Sequence, residues 1–348
     1  MTPEDFRALM RRHDPAADLA TAPPDLARMY AIMYGRRRRT GELVPVTVAL
    51  LIGLVAVLIN VTADDPVPPP AVNYRLASTF TLPAPGGGST QVPICATRAQ
   101  ATVASATPSE GPDYPTAGPA LSLLAQAADG ATREPAVGDR YGYLRSLEWR
   151  MATEAGPAGQ VSRVRPYLVE RWTPIGPIGR MLRREYPLDG GGRPGAVREY
   201  SAVLTRALRG QTLPRSAQGL RRALLAAGPE VGSETYRLAR AYLDLAMDDT
   251  LTSAQQARIW RLFAGRPDVW SLGSMVGRTG RSGTAWAFRT RDPRPEQWVL
   301  LVDRGTGRLI SVEAMLTARS SLNVSVPCVF EYRYVLAQGW VTGYRRRL

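Results

Sequence analysis

Residues 43–61 read LVPVTVALLIGLVAVLINV, nineteen consecutive positions without one ionisable side chain. At 1.5 Å rise per residue, a helix of that length crosses the roughly 30 Å hydrocarbon core of a bilayer. Pro45 falls in its first turn, where a missing N–H is tolerated, and a mid-span Gly53 is ordinary for a membrane helix. Arg36, Arg37, Arg38 and Arg39 stand just before the run, and Asp64 and Asp65 just after it. Arginine resists translocation, so the pattern predicts a single-pass protein of the cell membrane with its N-terminus in the cytoplasm. The four arginines serve as the topology anchor. Residues 1–42 are then inside, 43–61 span, and 62–348 lie outside. A cleaved leader fits poorly, because the preceding arm is too long and the apolar run exceeds the usual one.

That division sorts the charge. The chain carries a formal net charge of +14, and every one of its 44 basic residues is Arg. Residues 1–42 hold 8 Arg and 6 acids, a net of +2, while residues 62–348 hold 36 Arg and 24 acids, a net of +12. Most of the excess therefore faces outward, where nucleic acid is excluded as a partner. Anionic lipid or an anionic wall polymer is the partner that such a charge fits.

The cytoplasmic tail predicts two short amphipathic helices. Thr2, Pro3, Glu4 and Asp5 make a helix start, with Phe6, Leu9 and Met10 on one face. A second start at Pro23, Pro24 and Asp25 precedes Leu26, Met29, Tyr30 and Met33 at helical spacing. Helices this brief are marginal alone in water, so their apolar faces expect a docking partner or the membrane surface.

Outside the span, residues 64–71 (DDPVPPPA) suit an extended spacer, and residues 72–117 look mostly irregular, with extended pieces near 72–82 and 92–96. A helix is predicted at 119–128, then strands at 140–150, 161–172 and 180–186, where hydrophobic residues recur at period two. The period changes over 197–264, predicting helices at 197–209, 216–227, 234–248 and 253–264, the last opened by a capping box of Ser253 and Gln256. Five strands follow at 268–276, 284–290, 297–303, 308–317 and 329–338. Strands, helices and a strand meander predict one α+β domain at 118–348, an antiparallel sheet with helices covering one face. Trp149, Trp172, Trp286, Trp298 and Trp340 lie along the strands; either they fill a core, or a curved sheet leaves an apolar cleft beneath the helices.

Little in the sequence points to catalysis. The single His is His13 in the tail, so the external region has no His-based triad and no His metal ligand. Glu148, Glu170 and Glu185 fall on three successive strands and are the residues that could support acid–base chemistry, but strand acids beside abundant Arg more often form ion pairs. Asp244, Asp248 and Asp249 lack the spacing of a calcium loop. The glycine-rich run at 277–283 joins two strands rather than opening a helix, which predicts a hairpin instead of a phosphate loop. No cofactor or metal is expected. Cys95 and Cys328 lie in the oxidising compartment and are expected to form a disulfide.

Four stretches together carry a resemblance: DPA at 14–16 and APP at 22–24 before the Arg run; GDRYGYLRS at 138–146; LPRS at 213–216 leading to Leu220 and Leu224; and LLVDRGTGRL at 300–309. In this order they resemble a family of actinobacterial single-pass membrane proteins of unassigned activity, often encoded beside sigma factors. The likeness covers the tail, the span and residues 118–348. It implies a non-enzymatic envelope protein, anti-sigma-like in role, with a sigma factor or similar cytoplasmic regulator as partner. It also implies an external half-barrel similar to lipoprotein-carrier domains. The tail departs from many anti-sigma domains in lacking their His and Cys metal cluster.

Overall fold

The computed structural model describes residues 79–83, 88–96, 114–132, 134–156, 159–176, 179–188, 194–203, 213–292, 294–318 and 324–348. The predicted tail with Leu26, Met29, Tyr30 and Met33, the anchor of Arg36, Arg37, Arg38 and Arg39, and the span at 43–61 lie outside these residues. Among the described residues no helix is long and apolar enough to cross a membrane.

The fold is α+β. A hairpin of β1 (Thr79–Pro83) and β2 (Ser89–Pro93) comes first, then α1 (Gly118–Gly130). A meander follows: β3 (Tyr141–Gly156), β4 (Gly159–Pro174), β5 (Arg180–Pro187) and β6 (Arg198–Val203). Helices α2 (Ala217–Ala227), α3 (Glu234–Asp248) and α4 (Ser253–Ala264) intervene. A second meander closes the chain with β7 (Val269–Val276), β8 (Ser282–Thr290), β9 (Glu296–Val302), β10 (Leu309–Leu316) and β11 (Cys328–Val341). The two meanders join through β3 and β11 into one nine-stranded sheet, ordered β6-β5-β4-β3-β11-β10-β9-β8-β7 and antiparallel throughout.

Alternation along the strands sends successive side chains to opposite faces. Trp286, Phe288, Trp298, Leu300, Val302, Val312 and Ala314 point to one face and join Leu124, Leu224, Tyr242, Trp260 and Phe263 of the helices in a single core. Their intervening neighbours Ala285, Ala287, Val299, Leu301, Ile310 and Met315 point the other way, to Phe80 and Val92 of the hairpin. Both faces are thus covered, which is why β9 and β10 are buried at every position. The aromatic side chains fill the helix-facing layer: Trp260 meets Trp286 edge-on at 5.8 Å, and Phe288 stacks on Trp298 at 6.3 Å. Of the two sequence readings of the tryptophans, core filling is the one observed in this layer.

Two local expectations need correction. Residues 198–203 form strand β6, not part of a helix over 197–209. Val197, Tyr200 and Val203 fit either state, and pairing with β5, reinforced by the Arg184–Glu199 ion pair, selects the strand. The capping box of α4 is formed one residue earlier than read, by Thr252 and Gln255. Gln255 N–H donates to Thr252 Oγ1 at 3.3 Å, and Thr252 N–H donates to Gln255 Oε1 at 2.7 Å. Thr252→Ala is therefore expected to cost about 1 kcal/mol, read as a shift of the urea midpoint. Within the arm at 72–117, the extended pieces expected near 72–82 and 92–96 appear as β1 and β2, paired as a hairpin that packs on the sheet.

The disulfide forms as expected: Cys95 is bonded to Cys328 across a Cα–Cα distance of 4.8 Å. Cys95 N–H also donates to Val329 O at 2.9 Å, and Ile94 bridges Val329 in parallel, so the arm runs beside β11. The run at 277–283 is the β7–β8 turn, with Gly280 at φ 78°. The β9–β10 turn is held by Asp303, whose Oδ1 accepts from the N–H groups of Gly305 and Thr306. At Gly307, φ 63°, a Cβ would meet the Leu124 carbonyl oxygen at 2.6 Å, so only glycine fits against α1.

Candidate functional site

The helix-facing side of β3, β4, β5 and β11 is not apolar. Register places Glu148 opposite Arg333 and Arg150 opposite Glu331 across β3 and β11, and Arg171 opposite Arg183 across β4 and β5. Helix α3 presents Arg240, Asp244 and Asp248, four residues apart and therefore on one face. Five arginines, Arg150, Arg171, Arg183, Arg240 and Arg333, meet five acids, Glu148, Glu185, Glu331, Asp244 and Asp248. Formal charge cancels in this layer.

Glu148 is its centre, 1% exposed. It accepts from Ser146 Oγ at 2.9 Å and lies 2.7 Å from Arg171 Nη1, 3.5 Å from Arg150 Nε and 3.9 Å from Arg183 Nη2. Burial pushes its carboxyl up, but Arg171, Arg183, Arg150 and Arg333 outweigh that and hold it well below the usual carboxylate range. Arg171 continues to Asp248 of α3 at 3.2 Å, and Arg240 reaches Glu331 at 3.7 Å while lying 4.8 Å over the Trp298 ring. Glu185 takes Arg150 at 2.8 Å and also pairs with Arg183. Asp244 is different: burial raises its carboxyl despite Arg240 and Arg333. Asp249 caps the end of α3, and its Oδ1 accepts from Thr250 N–H at 2.8 Å.

The three glutamates read as acid–base candidates are therefore split. Glu148 and Glu185 share one face and are joined through Arg150 and Arg183. Glu170 points to the other face, where it accepts from Tyr143 OH at 2.8 Å and Tyr186 OH at 3.2 Å and takes a two-pronged contact from Arg347 at 2.7 Å. That contact, a bond from the Trp172 indole N–H to Arg346 O, and the Arg345–Glu199 pair at 2.6 Å seat the C-terminal residues on β4–β6.

A further ion pair lies under the hairpin. Arg278 turns inward from the β7–β8 turn and grips Glu313 of β10 with Nε at 2.8 Å and Nη2 at 3.1 Å. Its guanidinium sits between the rings of Phe80 and Tyr332, at 5.7 and 5.5 Å. Burial pushes the Glu313 carboxyl up to about 7 against the pull of Arg278. The adjoining cavity, lined by Phe80, Met275, Leu301, Ser311 and Glu313, has room for about one water molecule. Among the described residues no group of His, Cys, Asp and Glu is arranged to hold a metal.

The charged layer was not singled out from the sequence, although a signal for it exists. Glu148-x-Arg150, Arg183-x-Glu185 and Glu331-x-Arg333 each put opposite charges two apart, hence on one face of a strand.

No family model matches this sequence, and no curated protein matches it either. Among solved structures, it is similar to MucB in complex with MucA(peri), at 14% identity and a TM-score of 0.26, over 65% of this chain and 56% of that one. It is also similar to a domain from Vibrio parahaemolyticus described as an outer membrane lipoprotein-sorting protein, at 11% identity and a TM-score of 0.21, over 65% of this chain and 94% of that one. The chain thus spans little more than half the length of the first of these. Likenesses this distant establish no shared site.

Proposed function

We propose that this is a single-pass envelope protein whose external domain is a non-enzymatic sensing or binding module, and whose cytoplasmic tail docks a regulator such as a sigma factor. The observation that carries the external placement is the Cys95–Cys328 disulfide, a bond that persists in oxidising compartments and is rare in the cytosol. It agrees with the orientation that the Arg36–Arg39 cluster favours across the span at 43–61. The non-enzymatic reading draws support from Glu148, Glu170 and Glu185, whose carboxylates are all occupied by arginine or tyrosine. The half-barrel resembling lipoprotein-carrier domains belongs to the same reading, with the nine-stranded sheet wrapped on its helices.

The tail supplies the test. Crosslinking from residues 26–33 in intact cells is expected to recover a sigma factor or another cytoplasmic regulator, and Leu26→Glu with Met33→Glu to abolish the capture. A capture unchanged by these substitutions, or one containing no such regulator, counts against tail docking. A reporter active only outside the cytoplasm, fused after Leu348, tests the topology separately.

A second reading keeps the tail as an anchor and gives the external domain a lipid or anionic wall polymer as ligand. The net +12 of residues 62–348 favours it. The filled aromatic layer beneath the helices offers an acyl chain no room there, so the charge is the part of this reading that has support.

A further inference from the structure

The most deeply buried arginines have carboxylate partners: Arg171 meets Glu148, Arg184 meets Glu199, and Arg278 meets Glu313. Arg289 is one of several half-buried arginines, Arg258 and Arg308 among them, that burial makes less basic and that form no ion pair among the described residues. Arg289 stands on β8 opposite Gln297 of β9, on the face that the hairpin covers. Among the described residues the one titratable side chain acting on it is Tyr114. Burial pushes its pKa down, the mark of a cation short of compensation.

Its neighbours add donors rather than acceptors. Gln297 is 1% exposed, and its Oε1 accepts from Arg289 Nε at 2.9 Å. That bond fixes the amide's orientation, since an NH₂ turned toward the guanidinium would set donor against donor. Gln297 Nε2 is left buried without an acceptor. Trp270 pairs with Ala287 on the neighbouring strand, and the Arg289 guanidinium lies 5.8 Å from its ring centre. The Trp270 indole N–H is likewise buried and without an acceptor. Tyr114 stacks parallel to Trp270 at 6.3 Å and donates its own hydroxyl hydrogen to Pro83 O, which ties it into the wall.

A permanent cation, a primary amide nitrogen and an indole N–H thus stand together with no acceptor among them left to use. Buried donors left unmade are costly and uncommon, and a set made only of donors complements negatively charged oxygen. We infer that Arg289, Gln297 and Trp270 form a binding subsite for an oxyanion, the carboxylate or phosphate group of a ligand. Arg289 supplies charge and a planar fork, while Gln297 Nε2 and Trp270 Nε1 fix the orientation of the bound oxygens. The subsite names a ligand chemistry for the binding role proposed above and rests on that reading only for where the anion comes from. Inorganic phosphate and acetate represent the free ion, and phosphatidylglycerol represents a lipid headgroup.

The test uses the full chain in nanodiscs, with thermal midpoint and tryptophan fluorescence as readouts. Inorganic phosphate or acetate is expected to raise the midpoint, and Arg289→Gln to weaken that binding by about tenfold or more, as loss of a charge-assisted contact does. If phosphatidylglycerol nanodiscs raise the midpoint over phosphatidylcholine ones while free anions do not, and Arg289→Gln removes the difference, the headgroup is the source and the subsite stands. Gln297→Glu is the control for folding: it supplies the missing carboxylate internally, so the midpoint should rise without anion and respond to none. The inference is overturned if no anion or anionic lipid shifts the wild-type protein. It is equally overturned if Arg289→Gln responds as the wild type does, or if Gln297→Glu lowers the midpoint and still responds. Because the readout is anion binding at this site, it is indifferent to whether the tail docks a regulator.

Discussion

Glu148→Ala is expected to destabilise the external domain by about 3–5 kcal/mol, among the largest effects of any single substitution here. The reason is not the attraction that is lost but the charge that is left. Arg171 is 3% exposed and would keep Asp248 at 3.2 Å as its remaining acid, while Ser146 Oγ loses its acceptor and Arg150 a carboxylate 3.5 Å from its Nε. A guanidinium cannot shed its proton to escape burial, so the domain must either carry it or open. Glu148→Gln keeps an acceptor for Ser146 and should cost less than the alanine. The double substitution Glu148→Gln with Arg171→Met removes both charges and should recover part of the loss. Urea unfolding of the three variants measures this, and a double variant no better than Glu148→Ala would refute the account. The pH dependence has a definite sign. The folded carboxyl lies below its usual 4.5, so its contribution is present above that value and disappears only as pH falls further, through the folded pKa. Asp244, raised by burial, works in the opposite sense.

This layer also marks the limit of what could be read in advance. The period-two runs gave β4, β5 and β7–β11 to within a few residues, and the start of β3, which runs on six residues past the predicted end, because alternation is a local property of the chain. The start of α4 was legible to within one residue for a similar reason: a capping box needs only neighbours in sequence, although Thr252 rather than Ser253 opens it. Strand β6 was not, since Val197, Tyr200 and Val203 suit a helix face equally well and the choice is made by β5, a separate segment. The three Glu/Arg pairs two residues apart say that a charged face exists. They do not say that it turns inward toward α3, because sidedness is set by how the two meanders join through β3 and β11. The Arg289 subsite was hidden for a related reason. Arg289, Gln297 and Trp270 come from three strands, and what distinguishes them is the absence of acceptors around them, which no spacing in the sequence encodes.

Removing the disulfide with Cys95→Ser and Cys328→Ser is expected to cost about 5–6 kcal/mol in the chain-entropy model, less whatever structure the unfolded chain retains. The two residues are 233 apart in sequence, so the bond closes a loop containing nearly all of the described domain. Its loss should not be felt evenly. The hairpin β1–β2 has a single neighbouring strand within its own small sheet and touches the large sheet through Phe80, Val92 and the parallel bridge from Ile94 to Val329. The segment with few long-range contacts opens first when its tether is cut. Opening would strip Phe80 from the Arg278 guanidinium and bring water to the Arg278–Glu313 pair. Hydrogen exchange should therefore accelerate first at residues 79–96 and next along β10, while α3 and α4 remain protected. Phe80→Ala with the disulfide intact separates the two contributions: it should loosen the same hairpin and leave the loop-closure term in place, giving a smaller loss of midpoint with a similar exchange pattern. Uniform acceleration across the sheet and helices in the Cys variant would mean that the bond acts on the whole domain at once and that the hairpin is no separate unit.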